Sequence, residues 1–342
     1  MGPFLPFTLK IDPTKTRLWK ELKLGSPLIA CRYDPTGKYL FATAQDSSIQ
    51  RVNVLDASTT KLSGHQGWVR SMAFSKKDHL LVSADYHGVI NLWNWQQPTP
   101  KPSNTIEAHD GWIRALAISS DGQTLASCGN DLKVKVWSLP DGRLLKTLEG
   151  HDYHVYNLAF HTKEDRLVSA DLKGKIIDWN WHQASIIREL DAKVLHKYDK
   201  GFMADIGGVR CIAFNNAGTL LACGGITNVS NAFAGVGNPQ VVLFDWSTGK
   251  IKQQLVPAVA FQGTAWGVAF HPDGFIVGAG GGNGGQIWYW KPDQPNSFHT
   301  VSHGVSFRDM TLHPQGAQLG VACSDGVLRQ YSLLALVSKI KA

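Results

Sequence analysis

Seven segments of this chain share one shape: an apolar strand ending in an aromatic or aliphatic residue, a polar turn, and a second apolar strand. The first strands read LIACRY (28–33), VRSMAF (69–74), IRALAI (113–118), VYNLAF (155–160), VRCIAF (209–214), AWGVAF (265–270) and FRDMTL (307–312). Their last residues, Tyr33, Phe74, Ile118, Phe160, Phe214, Phe270 and Leu312, stand 41, 44, 42, 54, 56 and 42 positions apart. A second anchor closes each unit: Asn53, Trp93, Trp137, Trp179, Phe244, Trp288 and Tyr331.

A period near 42 residues with four short strands per unit is the signature of a propeller blade, which buries its faces only against its neighbours. Seven units predict an all-β fold, a seven-bladed β-propeller with repeats over 28–336. The length of 342 residues alone would suggest two or three domains. A closed ring makes residues 1–342 one domain, with 1–27 an N-terminal segment and 337–342 a tail.

Gly64-His65 and Gly150-His151, with the related Ala108-His109, each precede a first strand, and INLW, IIDW and VKVW follow about 28 residues later. These motifs, in seven agreeing registers, resemble the WD-repeat β-propellers, and the looser turns resemble those of bacterial members. In that family the outer strand of a blade precedes the next blade's three inner strands. The resemblance therefore implies that residues 17–24 (RLWKELKL) form the outer strand of the last blade, whose inner strands come from 306–336. Both ends of the chain would close the ring and leave no exposed sheet edge.

The family also implies a hydrogen-bonded set in each repeat, made of a His, a Ser or Thr, an Asp in the next turn and the Trp. By position only the third repeat carries all four, as His109, Ser127, Asp131 and Trp137. The second keeps His65, Ser83 and Trp93 but has His87 at the Asp position; the fourth keeps His151, Ser169 and Trp179 but has Lys173 there. A His with a Ser and an Asp mimics a catalytic triad on paper, yet its place in the repeat makes it scaffold.

Net charge is +7, from 34 basic and 27 acidic residues. It is spread along the chain, without a polybasic arm or acidic tail, so it leans towards acidic partners and shows no nucleic-acid footprint. Five isolated cysteines (Cys31, Cys128, Cys211, Cys223, Cys323) without a CxxC pair suit buried thiols in a reducing compartment. Residues 211–244 carry no charge, but their Asn, Gly, Thr and Ser rule out a membrane span. The start of the chain is a poor signal peptide. A cytoplasmic location with no membrane partner is expected.

Phosphate loops, dinucleotide fingerprints and zinc spacings are absent from the sequence, so no cofactor and no metal is expected. The run Gly278–Gly285 lies between two strands and predicts a tight turn needing positive φ. His161, His271 and His313 follow first strands on different blades without an acidic cluster, which argues against metal ligation. The doublets Trp93/Trp95, Trp179/Trp181 and Trp288/Trp290 put both rings on one sheet face, where blades pack.

One constellation stands out. The second residue of each first strand is Ile29, Arg70, Arg114, Tyr156, Arg210, Trp266 and Arg308, with Trp68 and Trp112 just before it in two repeats. Sevenfold arrangement would gather these around one mouth of the central channel. Four Arg, a Tyr and a Trp there could grip carboxylates, phosphates or an aromatic-containing peptide. Pairing with an Asp such as Asp309 would instead make them framework.

The long spacings arise from insertions at 190–207, 225–239 and 256–264, expected as loops on the face of the ring and of the kind that carries function. Ile226–Pro239 is uncharged, with Phe233 its single aromatic and no carboxylate for calcium. These features together predict a non-catalytic interaction scaffold that binds a protein or peptide, acidic in character, on the face of the Arg ring and the fifth-blade loops. Recognition of a phosphorylated or nucleic-acid ligand by the ring is the alternative. A propeller-type hydrolase or lyase is disfavoured for want of paired carboxylates or a nucleophile–base set.

Overall fold

Each repeat folds as one antiparallel sheet of four strands, because its three inner strands are apolar on both faces and its outer strand alternates. In the first blade Tyr39–Ala44 is buried almost throughout, whereas the outer Thr59–Leu62 buries only its last residue. The computed structural model describes residues 7–75, 79–231 and 236–338, which contain seven such four-stranded sheets and two small two-stranded ones. Phe233, residues 1–6 and residues 339–342 of the tail lie outside the described residues.

The last blade is completed by the N-terminal segment. Arg17–Lys23 pairs antiparallel with Val327–Ser332, beside Gln318–Cys323 and Phe307–Leu312. The sequence-based reading of 17–24 describes this strand well. A second pairing of the chain's two ends, Phe7–Ile11 with Leu334–Ser338, was not foreseen.

The core is seven separate apolar clusters, one at each blade boundary. Trp93 and Trp95 pack on Phe41 and Ile49 of the preceding blade, Trp179 and Trp181 on Val134 and Val136, and Trp288 and Trp290 on Val241 and Leu243. Each doublet thus places two rings against its neighbour, as period two requires. All five cysteines are buried and unpaired.

Three histidines join blades through hydrogen bonds. The Nε2 atoms of His161, His271 and His313 lie 2.8, 3.0 and 3.2 Å from the carbonyl oxygens of Gly218, Gly316 and Gly37 on the next blade. Each of these glycines has φ between 73 and 76°. A Cβ would also strike the histidine ring, at 2.1 Å for Gly37, so turn geometry and close approach both demand glycine. The run Gly278–Gly285 is mostly strand, within Ile276–Gly282 and Gly284–Trp290. Its turn is confined to the residues around Asn283, with Gly284 at φ 87°.

The hydrogen-bonded sets correct the positional reading. His109 Nδ1 lies 2.9 Å from both carboxylate oxygens of Asp131, its Nε2 is 2.7 Å from Ser127 Oγ, and Trp137 Nε1 donates to Ser127 Oγ at 2.9 Å. The second and fourth repeats are equally complete. His65 Nδ1 is 2.8 Å from Asp85 and His151 Nδ1 is 3.0 Å from Asp171, with Ser83 and Ser169 in their places. The acid has moved two residues back, to the end of the second strand, where the third repeat has Gly129. His87 and Lys173 are bystanders. Ser83, Ser127 and Ser169 are fully buried, and each also accepts from a Trp, so none is a nucleophile open to substrate.

Candidate binding site at the channel mouth

The ring residues owe their direction to a repeated backbone irregularity. In six blades the pairing of the first two strands slips by one residue, at the start in five of them and within the longer strand Gly263–Phe270 in the sixth blade. The residue left out of the ladder is Ile29, Arg70, Arg114, Tyr156, Trp266 or Arg308. In the fifth blade Arg210 N donates to Gly224 O although Cys211 already faces Gly224, which has the same effect. A bulge bends the strand and re-aims the extra side chain. Here it turns seven side chains into one mouth while the preceding residues (Leu28, Val69, Ile113, Val155, Val209, Ala265, Phe307) stay buried between blades.

All seven bulged residues line a single cavity of about 160 Å³, together with Trp68, Leu28, Gln45 and Tyr86. Trp112 stands beside it and stacks flat on Tyr86, with centroids 4.0 Å apart and planes 1° from parallel. Tyr86 and Gln45 escaped the sequence reading. They occupy the turn after the second strand, and a register scan of that turn would have found Tyr86 aligned with Asn130.

The basic and aromatic groups interleave. Arg114 lies 4.6 Å from the Trp112 ring and 4.8 Å from that of Tyr156; Arg210 lies 4.3 Å from Tyr156 and 5.6 Å from Trp266; Arg70 lies 6.0 Å from Trp266. Each such contact contributes roughly 0.5–2 kcal/mol, more as water is excluded. The arc therefore runs Trp112, Arg114, Tyr156, Arg210, Trp266, Arg70, with planes from five blades. Arg308 is exposed and lines the same cavity.

Carboxylates do not neutralise this arc. The arginine ion pairs of the described residues belong to Arg32, Arg143, Arg166, Arg188 and Arg329. Asp309, considered as a partner for Arg308, is buried and accepts instead from Arg32 and from Cys31 N at 3.0 Å. Arg114 Nε donates to Asn130 at 2.8 Å, whereas Arg210 Nε is shut off from solvent and meets no acceptor. Burial first, and then the neighbouring Arg114 and Arg70 charges, draw Arg210 below the usual arginine range; the Tyr156 contact opposes this. Beneath the arc the channel continues as a cavity of about 320 Å³ that also touches Arg70, Arg114, Arg210 and Trp266.

The insertions differ from the loops expected. His196–Asp199 and Ala204–Gly207 form a hairpin, and the fifth blade's middle strands run on as Leu220–Asn231 and Val236–Asp245. Backbone pairing continues beyond the sheet because Ile226 and Val229 have apolar ground to cover; both are buried. Lys197 Nζ donates to Val229 O at 2.6 Å, tying the two hairpins together. Among the described residues the insertions do not line the mouth. They line a separate hollow of about 420 Å³ that includes Val194, Thr227, Pro239 and Phe261.

Known proteins share parts of this sequence. The WD domain, G-beta repeat family matches at residues 57–94, 100–138 and 142–177. The denticleless protein homolog B of Xenopus laevis is 26% identical over 143 residues, covering 39% of this chain and 20% of that protein. Polyadenylation factor subunit 2 of Candida albicans is 25% identical over 122 residues, covering 35% of this chain and 22% of that protein. The matched region is thus about a fifth of the length of these relatives. No helix of the described residues is long and apolar enough to cross a membrane. The chain thus carries three consecutive WD repeats by family match, within a structure of seven four-stranded blades.

Proposed function

We propose that this propeller is an interaction scaffold that holds an acidic protein segment over the channel mouth. The supporting observation is the arc itself: Arg70, Arg114 and Arg210, with Arg308 nearby, share one cavity with aromatic rings and have no carboxylate partner among the described residues. Arg, Trp and Tyr are the residue types that dominate binding energy at interfaces, above all where they are packed and shielded from water. The role is binding rather than catalysis, because the groups that could serve as nucleophile and base are the buried sets inside the blades.

The test is a footprint. The full chain is loaded with the partner recovered from its native organism, and backbone hydrogen exchange is compared with and without it. Protection is expected at 28–29, 68–70, 112–114, 208–210 and 264–266. Protection confined to the opposite face, at the turns holding His161, His271 and His313, would overturn the reading.

A further inference from the structure

We propose that the hollow beside the fifth blade is a binding site for a neutral saccharide. It is separate from the channel mouth and does not depend on what the mouth binds. The hollow measures about 420 Å³, within the range of small-ligand clefts. Among the described residues its lining carries no Asp, Glu, Lys, Arg or His. Two of the segments that build it, 211–244 and 253–270, are uncharged in a chain that is 18% charged. A carboxylate, phosphate or ammonium entering the hollow would lose water and meet no counter-charge. A neutral ligand incurs no such penalty.

The lining sets amides beside apolar groups. Asn228, Asn238, Gln240 and Gln254 each carry two N–H donors and a carbonyl acceptor. Gln240 is buried and donates to Gln254 Oε1 at 2.6 Å, which holds both amides in place. Asn228 Nδ2 reaches Asn238 Oδ1 only at 3.5 Å, and Asn238 Nδ2 reaches Phe261 O at the same distance. These two exposed amides are thus weakly engaged in the free protein. Sugar hydroxyls donate and accept at once, so amides suit them on both counts. The C–H face of a sugar ring calls for an apolar floor, which Phe261, Pro239 and Val259 supply.

The fold fixes this arrangement. The register of the long hairpin slips between Thr227 and Asn231, and Asn228 takes a left-handed φ of 52°. Such a bulge re-aims the side chain it frees. Buried Val229, whose carbonyl receives Lys197 Nζ, anchors it. Across the hollow Val256 N donates to Pro295 O at 2.8 Å, and Phe261 lies edge-on to Trp288 with ring centroids 5.8 Å apart. A rigid lining lowers the ordering cost of binding. The bulge also breaks one free edge of the hairpin, and Pro239 removes a donor from the other, so an extended peptide finds no continuous strand to pair with.

The experiment uses the full chain, with saturation-transfer NMR and calorimetry as readouts. The probes are methyl glycosides and disaccharides of glucose, galactose, mannose and N-acetylglucosamine, the matching uronic acids, adenosine, and a capped glycine–serine peptide. At least one neutral glycoside is expected to bind with Kd of about 1 mM or tighter. Its uronic acid counterpart should bind at least about fivefold more weakly, for want of a cation. Asn228→Gly removes the amide while glycine accepts the left-handed backbone, and Gln254→Ala removes an exposed amide from the outer strand. Each should weaken binding about fivefold or more, in proteins that melt like the parent. Hydrogen exchange should slow at 226–228 and 238–240 when the glycoside is bound.

Absence of binding by every neutral glycoside at about 10 mM would overturn the proposal. Equal affinity for the uronic acid would do the same, as would unchanged affinity in both folded variants. Adenosine or the peptide binding more tightly than any glycoside would reassign the hollow. Protection confined to 28–29 and 112–114 would move the sugar to the channel mouth and leave the hollow without a ligand.

Discussion

Arg210 lays its guanidinium carbon 4.3 Å from the centre of the Tyr156 ring, across the boundary between the fourth and fifth blades. The ring face makes this contact, and the hydroxyl is a lesser partner of the same guanidinium. Tyr156→Phe should therefore lower unfolding free energy by no more than about 1 kcal/mol, and Tyr156→Ala should lower it by about 1–3 kcal/mol. Arg70→Ala, which removes one distant ring contact and no ion pair, should stay within about 0.5 kcal/mol of the parent. Urea unfolding measures all three. A large loss in Arg70→Ala would mean the arc is framework holding the blades, not a site.

The aspartates of the buried sets give a second test. Asp85 is bound to His65 and also accepts the backbone N–H groups of His87 and Val89 at 2.9 and 3.1 Å. Asp85→Ala removes all three and should cost about 2–4 kcal/mol, whereas His87→Ala should cost about 0.5 kcal/mol or less. In the third blade Trp137→Ala should cost about 3–5 kcal/mol and His109→Ala about 1–3. If His87→Ala were the damaging change, the acid of the second repeat would be misassigned.

The fold was legible because its signal is redundant: seven registers repeat one pattern, and the Trp doublets and RLWKELKL each fall where the pattern puts them. The site was legible only in outline. Position two of each strand marked the ring residues, but the bulge that points them inward leaves no residue-type signature, since Ile, Arg, Tyr and Trp all occupy it. Tyr86 and Gln45 were missed because the turn after the second strand was not aligned across repeats. Asp85 and Asp171 were missed because counting to a fixed turn position ignores that a carboxylate two residues earlier reaches the same imidazole. The insertions hid their strands because Asn, Gly and Ser between Ile226 and Val236 look like loop.

Acid should weaken the protein in two stages. Burial, opposed by Asp131, holds His109 below the ordinary histidine range, so it stays neutral where unfolded histidine gains a proton. Its contribution is present above about pH 6.5 and is lost as pH falls. Burial raises Asp85 and Asp131, but the hydrogen bonds they accept from His65 and His109 with backbone N–H groups outweigh it, and both lie below the usual carboxylate range. Their stabilisation is present above about pH 4 and is lost as pH falls through their lowered values. Melting temperature followed from pH 7.5 to 3 should drop modestly at first and steeply below about pH 4. His109→Gln should flatten the first stage; an unaltered slope would remove His109 as its source.

Ring closure can be tested by graded truncation. Arg17–Lys23 pairs with Val327–Ser332, Leu22 packs into the cluster between the last and first blades, and Glu21 meets Arg329 Nε at 2.7 Å. Removing residues 1–16 takes away the pairing of Phe7–Ile11 with Leu334–Ser338, the packing of Ile11 and the Thr16–Tyr289 hydrogen bond, so a moderate fall in melting temperature is expected. Removing residues 1–24 opens the edge of the last blade, and a large loss of soluble yield and a markedly lower melting temperature should follow. Equal behaviour of the two truncations would show that the strand is not what closes the ring.

The paired hairpins beside the fifth blade should act as one unit, separable from the mouth. Val229 is 2% exposed and its carbonyl receives Lys197 Nζ, so side chain and backbone both fasten the 196–207 hairpin to the long strand. Val229→Asp would bury a charge without a partner and expel that strand from its packing. Hydrogen exchange over 196–207 should accelerate by at least about tenfold, while exchange at 28–33 and 113–118 stays as in the parent, because those strands share no contact with the insertion. Binding at the mouth should be kept within about twofold in the same variant, since none of its lining residues belongs to either hairpin. If binding collapsed while the ring strands kept their protection, the insertions would have to reach over the mouth when a ligand is bound, and the site would extend from the arc of arginines to the hollow between Val194 and Phe261.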